Sequence, residues 1–137
     1  MNFEYSKFQH KYTYVKKEFH LRNFYLCDNF YISEIFEEVN YSWEEVELLN
    51  DLLLEYYDPN IKIGWVSNRI NSHFIEPQSW IKFHEKYDFY VASAIVSYND
   101  ITYLNATIEK QFSNINIKRC SNSGRALDWI TSLKEFN

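Results

Sequence analysis

The segment from Phe89 to Ser97 is the feature that most limits what this chain can fold into. It is a nearly continuous apolar run, made mainly of small and β-branched residues. A strand of this composition has both faces buried, which happens when helices cover both sides of a sheet. The sequence therefore predicts a layered α/β fold with this segment as its central strand.

The N-terminal part of the chain predicts further strands. Residues from Lys11 to Ile35 are rich in Tyr, Phe, Val and Ile and show no sustained helical stripe. The pair Asp28–Asn29 separates two β-prone runs, Phe24–Cys27 and Phe30–Ser33, as short Asx pairs do in hairpins. We therefore expect an antiparallel hairpin at the start of the sheet.

Helices and strands alternate after this hairpin. Ser42 and Glu45 form a capping box, which predicts a helix that ends before Pro59. Its apolar stripe consists of Trp43, Val46, Leu49, Leu53 and Tyr56. A short strand from Ile61 to Val66 follows, and a second helix begins at Pro77, because proline is tolerated at the first helical position. We expect this second helix to bury Trp80, Ile81 and His84.

The last third of the chain continues the alternation. Asn99–Asp100 predicts the cap of a third helix, the segment from Ile115 to Cys120 alternates as a strand does, and a fourth helix is predicted from Ser121 to Lys134. The residues expected to face the core are Leu104, Ile108 and Phe112 in the third helix and Ala126, Trp129, Ile130 and Leu133 in the fourth. The sequence thus predicts a single α/β domain over residues 1–137, with a mixed sheet of about five strands covered by about four helices.

Charge and composition narrow the classes of function. The formal net charge is -5, from 14 Lys and Arg against 19 Asp and Glu, so no overall positive field attracts nucleic acid. No apolar run approaches the roughly 20 residues that span a bilayer, and the N-terminus lacks the order of a signal peptide, which predicts a cytoplasmic protein. Cys27 and Cys120 match no disulfide or zinc pattern, so we expect two buried free thiols. No cofactor is predicted.

The most concentrated polar patch follows the strand that ends near Val66. It contains Ser67, Asn68, Arg69, Asn71 and Ser72. Open α/β sheets commonly bind ligands at the carboxyl ends of their strands, so we expect a loop here that binds a ligand or a partner. The guanidinium of Arg69 would hold a carboxylate or a phosphate in bidentate fashion. The alternative is that these side chains only tie down the loop through hydrogen bonds to its backbone.

No motif in the chain indicates catalysis or metal binding. His73 and His84 lack a metal-binding spacing, and no G-x-S-x-G elbow, Walker loop or G-x-G-x-x-G occurs. Gly64 and Gly124 are the only glycines, which leaves little means of building a phosphate cradle. The sequence therefore assigns no catalytic residue and no metal ligand, and it favours a protein that is not an enzyme.

Two segments resemble a known family of small bacterial proteins. The run Gly64–Ser72 is similar to a segment of uncharacterised STAS-like proteins of the Bacteroidetes, and Cys120–Ile130 resembles the Ala-Leu-x-Trp-Leu finish of small STAS-like proteins. The order of predicted elements from Phe24 onward also looks like the STAS domain, which occurs in anti-sigma factor antagonists and in the cytoplasmic tails of sulphate transporters, and like the related lipid-binding-like fold. The resemblance implies a STAS-like fold and a regulatory binding function.

Three hypotheses of function follow. The first is a non-enzymatic STAS-like module that binds a protein partner or a small ligand through the loop from Ser67 to Ser72. The second is a small enzyme or carrier for an anionic or lipophilic molecule, with Arg69 as the anion clamp and Asn68 or Asn71 as hydrogen-bond donors. The third is a homodimer that pairs through aromatic side chains left exposed on the first strands.

Overall fold

The structure is a computed structural model that describes residues 2–19, 22–35, 43–58, 60–70, 77–113 and 115–136. Within these residues the chain forms a six-stranded sheet in which every strand lies beside its neighbours in sequence. The strands are β1 (Val15–Phe19), β2 (Arg22–Leu26), β3 (Phe30–Ile35), β4 (Ile63–Arg69), β5 (Tyr90–Ser97) and β6 (Asn116–Cys120). The predicted strand count was too low, because the N-terminal part of the chain contributes three strands instead of one hairpin.

The first three strands form an antiparallel meander, as the hairpin signal predicts. β2 and β3 turn at Asp28–Asn29, where the Cys27 N–H donates to the Phe30 carbonyl at 2.9 Å. β1 extends the meander, with Val15 opposite Leu26. From β3 to β6 the strands run parallel, so the sheet is mixed.

The described residues form four α-helices, which cover the sheet on both sides. They are α1 (Trp43–Leu54), α2 (Pro77–Lys86), α3 (Asp100–Gln111) and α4 (Ser123–Thr131). Crossovers between parallel strands are right-handed, so α1, α2 and α3 all lie on one side, the three-helix face, whose core includes Val46, Trp80 and Ala106. The other side, the α4 face, is covered by α4 and by the N-terminal residues Phe3 and Phe8.

Strand β5 has both faces buried, as its apolar run predicts. Ile95 belongs to the core of the three-helix face, whereas Ala92, Ala94 and Val96 belong to the core beneath α4. The predicted central position was wrong, because β5 is second from the edge and β3 and β4 are the middle strands. Both hydrophobic layers nevertheless depend on this one strand.

Helix α3 begins where the sequence predicts but turns the opposite face to the core. The Asn99 side chain caps it by accepting a hydrogen bond from the Thr102 N–H at 2.9 Å. The residues predicted to face the core are exposed, and these are Leu104, Ile108 and Phe112. The residues buried in their place are Thr102, Ala106 and Glu109. The prediction was wrong because Glu109 pairs with a buried arginine of β4, which decides the side of α3 that faces the sheet.

The other helices bury most of the residues that their stripes predict. These are Val46, Leu49 and Leu53 in α1, Trp80 in α2, and Ala126 and Ile130 in α4, with Trp43, Trp129 and Leu133 partly buried against the cores. Two predictions were wrong, since Ile81 and Tyr56 are exposed. Tyr57 takes the core position instead, and its hydroxyl donates to the Cys27 carbonyl at 2.7 Å. Ser42 of the capping box and the His84 side chain lie outside the described residues.

The inverted orientation of α3 predicts a difference between two pairs of substitutions. Leu104→Ala with Ile108→Ala should change the free energy of unfolding by no more than about 1 kcal/mol, because both side chains are exposed. Leu49→Ala with Leu53→Ala in α1 should cost at least about 4 kcal/mol, since both are buried. Urea denaturation followed by circular dichroism measures both, and equal losses would contradict the orientation of α3.

Candidate functional site

The polar patch predicted as a loop lies partly within a strand. β4 continues through Arg69, so Ser67, Asn68 and Arg69 are strand residues, and all three are buried. The prediction that the strand ends near Val66 was wrong, because side chains on both faces of the sheet satisfy these polar groups. Asn71 and Ser72 lie outside the described residues.

The alternation of side chains along β4 separates the residues of the patch. Ser67 and Arg69 point to the three-helix face, where the Arg69 Nε–H donates to the Ser67 hydroxyl at 3.1 Å. Asn68 points to the α4 face, where its amide donates to the Glu34 carboxylate at 2.7 Å. The structure therefore divides the predicted patch into two networks that lie on opposite sides of the sheet.

The first network is a buried ion pair between β4 and α3. Both terminal nitrogens of Arg69 donate to the Glu109 carboxylate, with Nη2 at 2.8 Å from Oε1. The indole N–H of Trp80 donates to the same Oε1 at 3.0 Å. All three side chains are nearly inaccessible to solvent. A buried guanidinium without a carboxylate partner costs several kcal/mol, so the pairing of Arg69 with Glu109 holds α3 with this side towards the sheet.

The second network joins the ends of β3, β4 and β5 to the N-terminus of the chain. Oε2 of Glu34 accepts from the Asn68 amide and from the Phe3 backbone N–H, each at 2.7 Å. The Tyr98 hydroxyl donates to Oδ1 of Asn68 at 2.7 Å. Burial raises the pKa of Glu34, and the donors from Phe3 and Asn68 offset part of that increase. The network positions the N-terminal residues over the α4 face.

These two networks limit the chemistry open to the patch. The Arg69 guanidinium is committed to Glu109, so an anionic ligand at this position has to displace a carboxylate that is already bound in bidentate fashion.

The two cysteines are buried and free, as predicted. Burial, together with the Asp28 carboxylate, raises the pKa of the Cys27 thiol to about 12, so this thiol is neutral at pH 7.

A narrow cleft lies between α1, α2 and the sheet. Its walls are mostly aromatic and include Tyr31, Trp65, Trp80 and Phe83, and its volume is about 20 Å³. A space of this size holds about one water molecule. The aromatic side chains of the three-helix face therefore fill their own core, and a larger apolar ligand would have to separate α1 from α2.

Among the described residues, the outer face of α3 exposes a longer band of large apolar side chains than the outer face of α1, where Leu48, Leu52 and Tyr56 are exposed. Ile101, Leu104, Ile108 and Phe112 are 71%, 62%, 48% and 42% exposed, and we call these four residues the α3 stripe. They follow one another at steps of three and four residues, so they form one continuous apolar band. Contiguous exposed apolar surface of this kind typically marks an interaction site.

The sequence predicts three of the four residues of the α3 stripe, Leu104, Ile108 and Phe112, to lie in the core. It makes no prediction for Ile101, because the stripe from Leu104 to Phe112 already accounts for an ordinary amphipathic helix. The buried face of α3 is distinguished from its exposed face by the pairing of Glu109 with Arg69. No local sequence pattern identifies Arg69 as the partner of Glu109.

Comparison with known proteins supports the fold. No protein-family profile and no curated protein matches this chain. A solved structure of an uncharacterized protein from the DUF3478 family of Shewanella loihica, described as having a SpoIIAA-like fold, superposes with a TM-score of 0.54. The alignment covers 86% of this chain and 92% of that protein at 13% sequence identity. The chain therefore has a SpoIIAA-like fold, the STAS-like architecture that the sequence predicts.

No helix in the described part of the chain has the length and apolar character to cross a membrane.

The ion pair predicts the response to changes at Arg69. Arg69→Met should lower the free energy of unfolding by about 3–5 kcal/mol, because it leaves the Glu109 carboxylate buried and uncompensated. Adding Glu109→Gln should restore most of the loss, since it removes that charge and keeps an acceptor for Trp80. Urea denaturation measures all of these variants, with Arg125→Met on the exposed surface of α4 as a control that changes stability by about 0.5 kcal/mol or less. Failure of the double variant to recover would show that packing, and not charge, dominates.

The raised pKa of Glu34 predicts a pH-dependent effect of Glu34→Gln. A carboxyl group with a raised pKa binds its proton more tightly in the folded protein, so it favours folding in acid and disfavours it as the pH rises through that pKa. Glutamine keeps an acceptor for Phe3 and Asn68 but carries no charge. The stability of the variant relative to the wild type should therefore increase as the pH rises from about 4, the ordinary pKa of glutamate, through the raised pKa of Glu34. Urea denaturation across that range would contradict the assignment if this relative stability decreased.

Proposed function

We propose that this protein is a non-enzymatic regulatory module that binds a protein partner through the α3 stripe, and that it acts in the cytoplasm. The observation that carries the proposal is the inverted amphipathicity of α3. A helix on a sheet normally buries its large apolar residues, whereas α3 buries Thr102, Ala106 and Glu109 and, together with its C-cap residue Phe112, exposes the four side chains of the α3 stripe.

The orientation of α3 buries a charged pair although the same helix carries large apolar side chains that could be buried instead, which supports a functional reason for it. Burying a salt bridge is often no better for stability than burying apolar residues of similar volume. Leu104 and Ile108 would supply such residues if α3 were rotated about its axis. The pair of Arg69 with Glu109 instead holds the apolar residues outside, where a second protein has access to them.

The surroundings of the stripe indicate the character of the partner. Tyr103, Lys110 and Arg119 lie on the side of α3 that borders β6, and the Arg119 guanidinium stacks over the Tyr103 ring at 4.5 Å. An apolar surface with acidic residues at its rim complements this arrangement. A second copy of the chain that packed on the same stripe would bring a second set of these cations close to the first. We therefore assign the stripe to a different protein, with acidic residues around its apolar contact surface.

The residues of the polar patch have an indirect role in this proposal. Arg69 positions α3, and Ser67 supports Arg69 through its hydroxyl. Direct contact of Ser67, Asn68, Arg69, Asn71 or Ser72 with a partner or small ligand stays a prediction, as does the alternative of an enzyme or carrier that uses Arg69 as an anion clamp.

The proposal predicts that polar substitutions on the stripe abolish partner binding without unfolding the protein. Leu104→Gln with Ile108→Gln should prevent the capture of the partner by photo-crosslinking from a benzophenone residue placed at Phe112, in cells that make the protein at its natural level. Leu48→Gln with Leu52→Gln is the matched control, because these residues are similarly exposed on α1. The captured protein is then purified and its affinity measured for each variant by calorimetry.

The expected result is a loss of affinity of about 100-fold or more for the α3 double variant and less than about threefold for the α1 variant. Equal binding by both variants would contradict the proposal. A crosslinked product made only of this chain, together with a dimer in analytical ultracentrifugation that the α3 variant abolishes, would also contradict it, because the occupant would then be a second copy.

A further inference from the structure

Among the described residues, the sheet has an open edge at β6. Strand order places β6 last in this part of the chain, so it pairs with β5 on one side only. In a strand at an edge, alternate backbone N–H and C=O groups point away from the sheet and are able to pair with another chain. β6 comprises five residues, Asn116–Cys120, which gives an edge of roughly 16 Å.

Side chains from both layers overhang this edge and form a slot. The slot has a volume of about 250 Å³ and is lined by Tyr103, Lys110, Asn116, Ile117, Lys118, Arg119 and Trp129. Tyr103 and Lys110 come from α3 on the three-helix face, and Trp129 comes from α4 on the other face. The slot therefore follows the backbone of β6 between two helices, and we call it the edge slot.

The edge slot is positively charged in an acidic protein. Lys110 and Lys118 are exposed, and within the described part of the chain neither forms an ion pair. Arg119 is held in place by the Tyr103 ring and by a hydrogen bond from its Nη1 to the Thr107 hydroxyl. The cations occupy both sides of the edge, because Arg119 and Ile117 point to the three-helix face and Lys118 points to the α4 face.

We infer that the edge slot binds an extended acidic segment of the partner protein, which adds to the sheet as a further strand beside β6. This inference rests on the proposed function, since it supplies a second contact for the partner that covers the α3 stripe. The backbone groups of β6 would provide the hydrogen bonds, and the three cations would select acidic side chains on both faces of the added strand.

The exposed edge of β6 has two alternative roles, and each leads to a different result with an acidic peptide. Lysine on an edge strand commonly serves only to prevent pairing with other chains, and then no peptide binds. Pairing of β6 with β6 of a second copy would place six like charges around one interface, counting Lys110, Lys118 and Arg119 in each chain. Charge therefore favours an acidic segment over a second copy.

The test uses a synthetic peptide as the probe, an N-acetylated octapeptide of glutamate and threonine labelled with fluorescein. Its glutamates are placed so that they fall on both faces of an extended chain. Fluorescence polarisation measures the affinity of the whole protein, and ¹⁵N NMR locates the bound peptide. Two control peptides have the same length, one with lysine in place of glutamate and one with alternate backbone amides methylated.

Two matched double variants distinguish binding in the edge slot from an effect of the overall charge of the protein. Lys110→Gln with Lys118→Gln should weaken binding about tenfold or more, because it removes two of the three cations. Lys11→Gln with Lys62→Gln changes the net charge equally on exposed residues outside the slot and should change binding less than about twofold. The shifted amide signals should belong to β6.

Several results would overturn the inference. In the binding experiments, these are no binding by the wild-type protein at millimolar peptide, equal binding of the lysine or N-methylated peptide, and tighter binding of single-stranded oligothymidine than of the acidic peptide. In the experiments with variants and by NMR, these are an equal loss of affinity in the two double variants and shifted amide signals from residues outside β6. The proposed function fails separately, because it depends on the Leu104 and Ile108 variants. Partner capture that survives Lys110→Gln with Lys118→Gln at full affinity would remove the edge slot and leave the α3 stripe.

Discussion

The buried ion pair of Arg69 with Glu109, a carboxylate that also accepts from Trp80, is the interaction on which the exposed surface of this protein depends. It joins the carboxyl end of β4 to α2 and α3, and it leaves no freedom for α3 to turn its apolar side to the sheet. Hydrophobic burial is non-directional and would accept several orientations of a helix that has apolar residues on more than one side. A fully paired charge accepts only one orientation, because any other carries Glu109 away and leaves the Arg69 guanidinium buried and unpaired.

The strand order gives this contact its setting. Because β3 to β6 are parallel and sequential, right-handed crossovers place α1, α2 and α3 side by side on the same face, and α4 is left to cover the other with the N-terminal residues. The polar residues at the ends of β4 and β3 are then paired on opposite faces of the sheet, Arg69 with Glu109 on the three-helix face and Glu34 with Phe3 on the α4 face. The part of the sheet that helices cover ends at β6, next to α3, and β6 forms the edge of the sheet.

Much of the fold follows from local signals in the sequence. The Asp28–Asn29 turn, the Asn99 cap and the two-sided apolar run of β5 each depend on residues close together in the chain, and each is found in the structure. The orientation of α3 depends on a partner 40 residues away, since Arg69 lies on β4 and Glu109 on α3. A prediction from hydrophobic periodicity assumes that glutamate is exposed and leucine is buried. It therefore predicts the wrong buried face for α3, where Glu109 is buried and Leu104 is exposed. The prediction that Ser67 and Asn68 belong to one polar patch is wrong for a similar reason. In a strand, successive side chains point to opposite faces of the sheet, and a continuous run of polar residues does not reveal this alternation.

The N-terminal residues meet the last helix on the α4 face, where the ring of Phe8 lies against the backbone of Gly124, and Phe3 lies in the same core. During synthesis, Phe8 emerges from the ribosome well before α4. The sheet can grow by adding each new strand to the one before it, because all its described pairings are between neighbours, but the layer on this face has to wait until α4 has been made. Phe8 thus lacks its contact with Gly124 until every strand of the sheet has been synthesised, so the packing of α4 on this face comes after the sheet has formed.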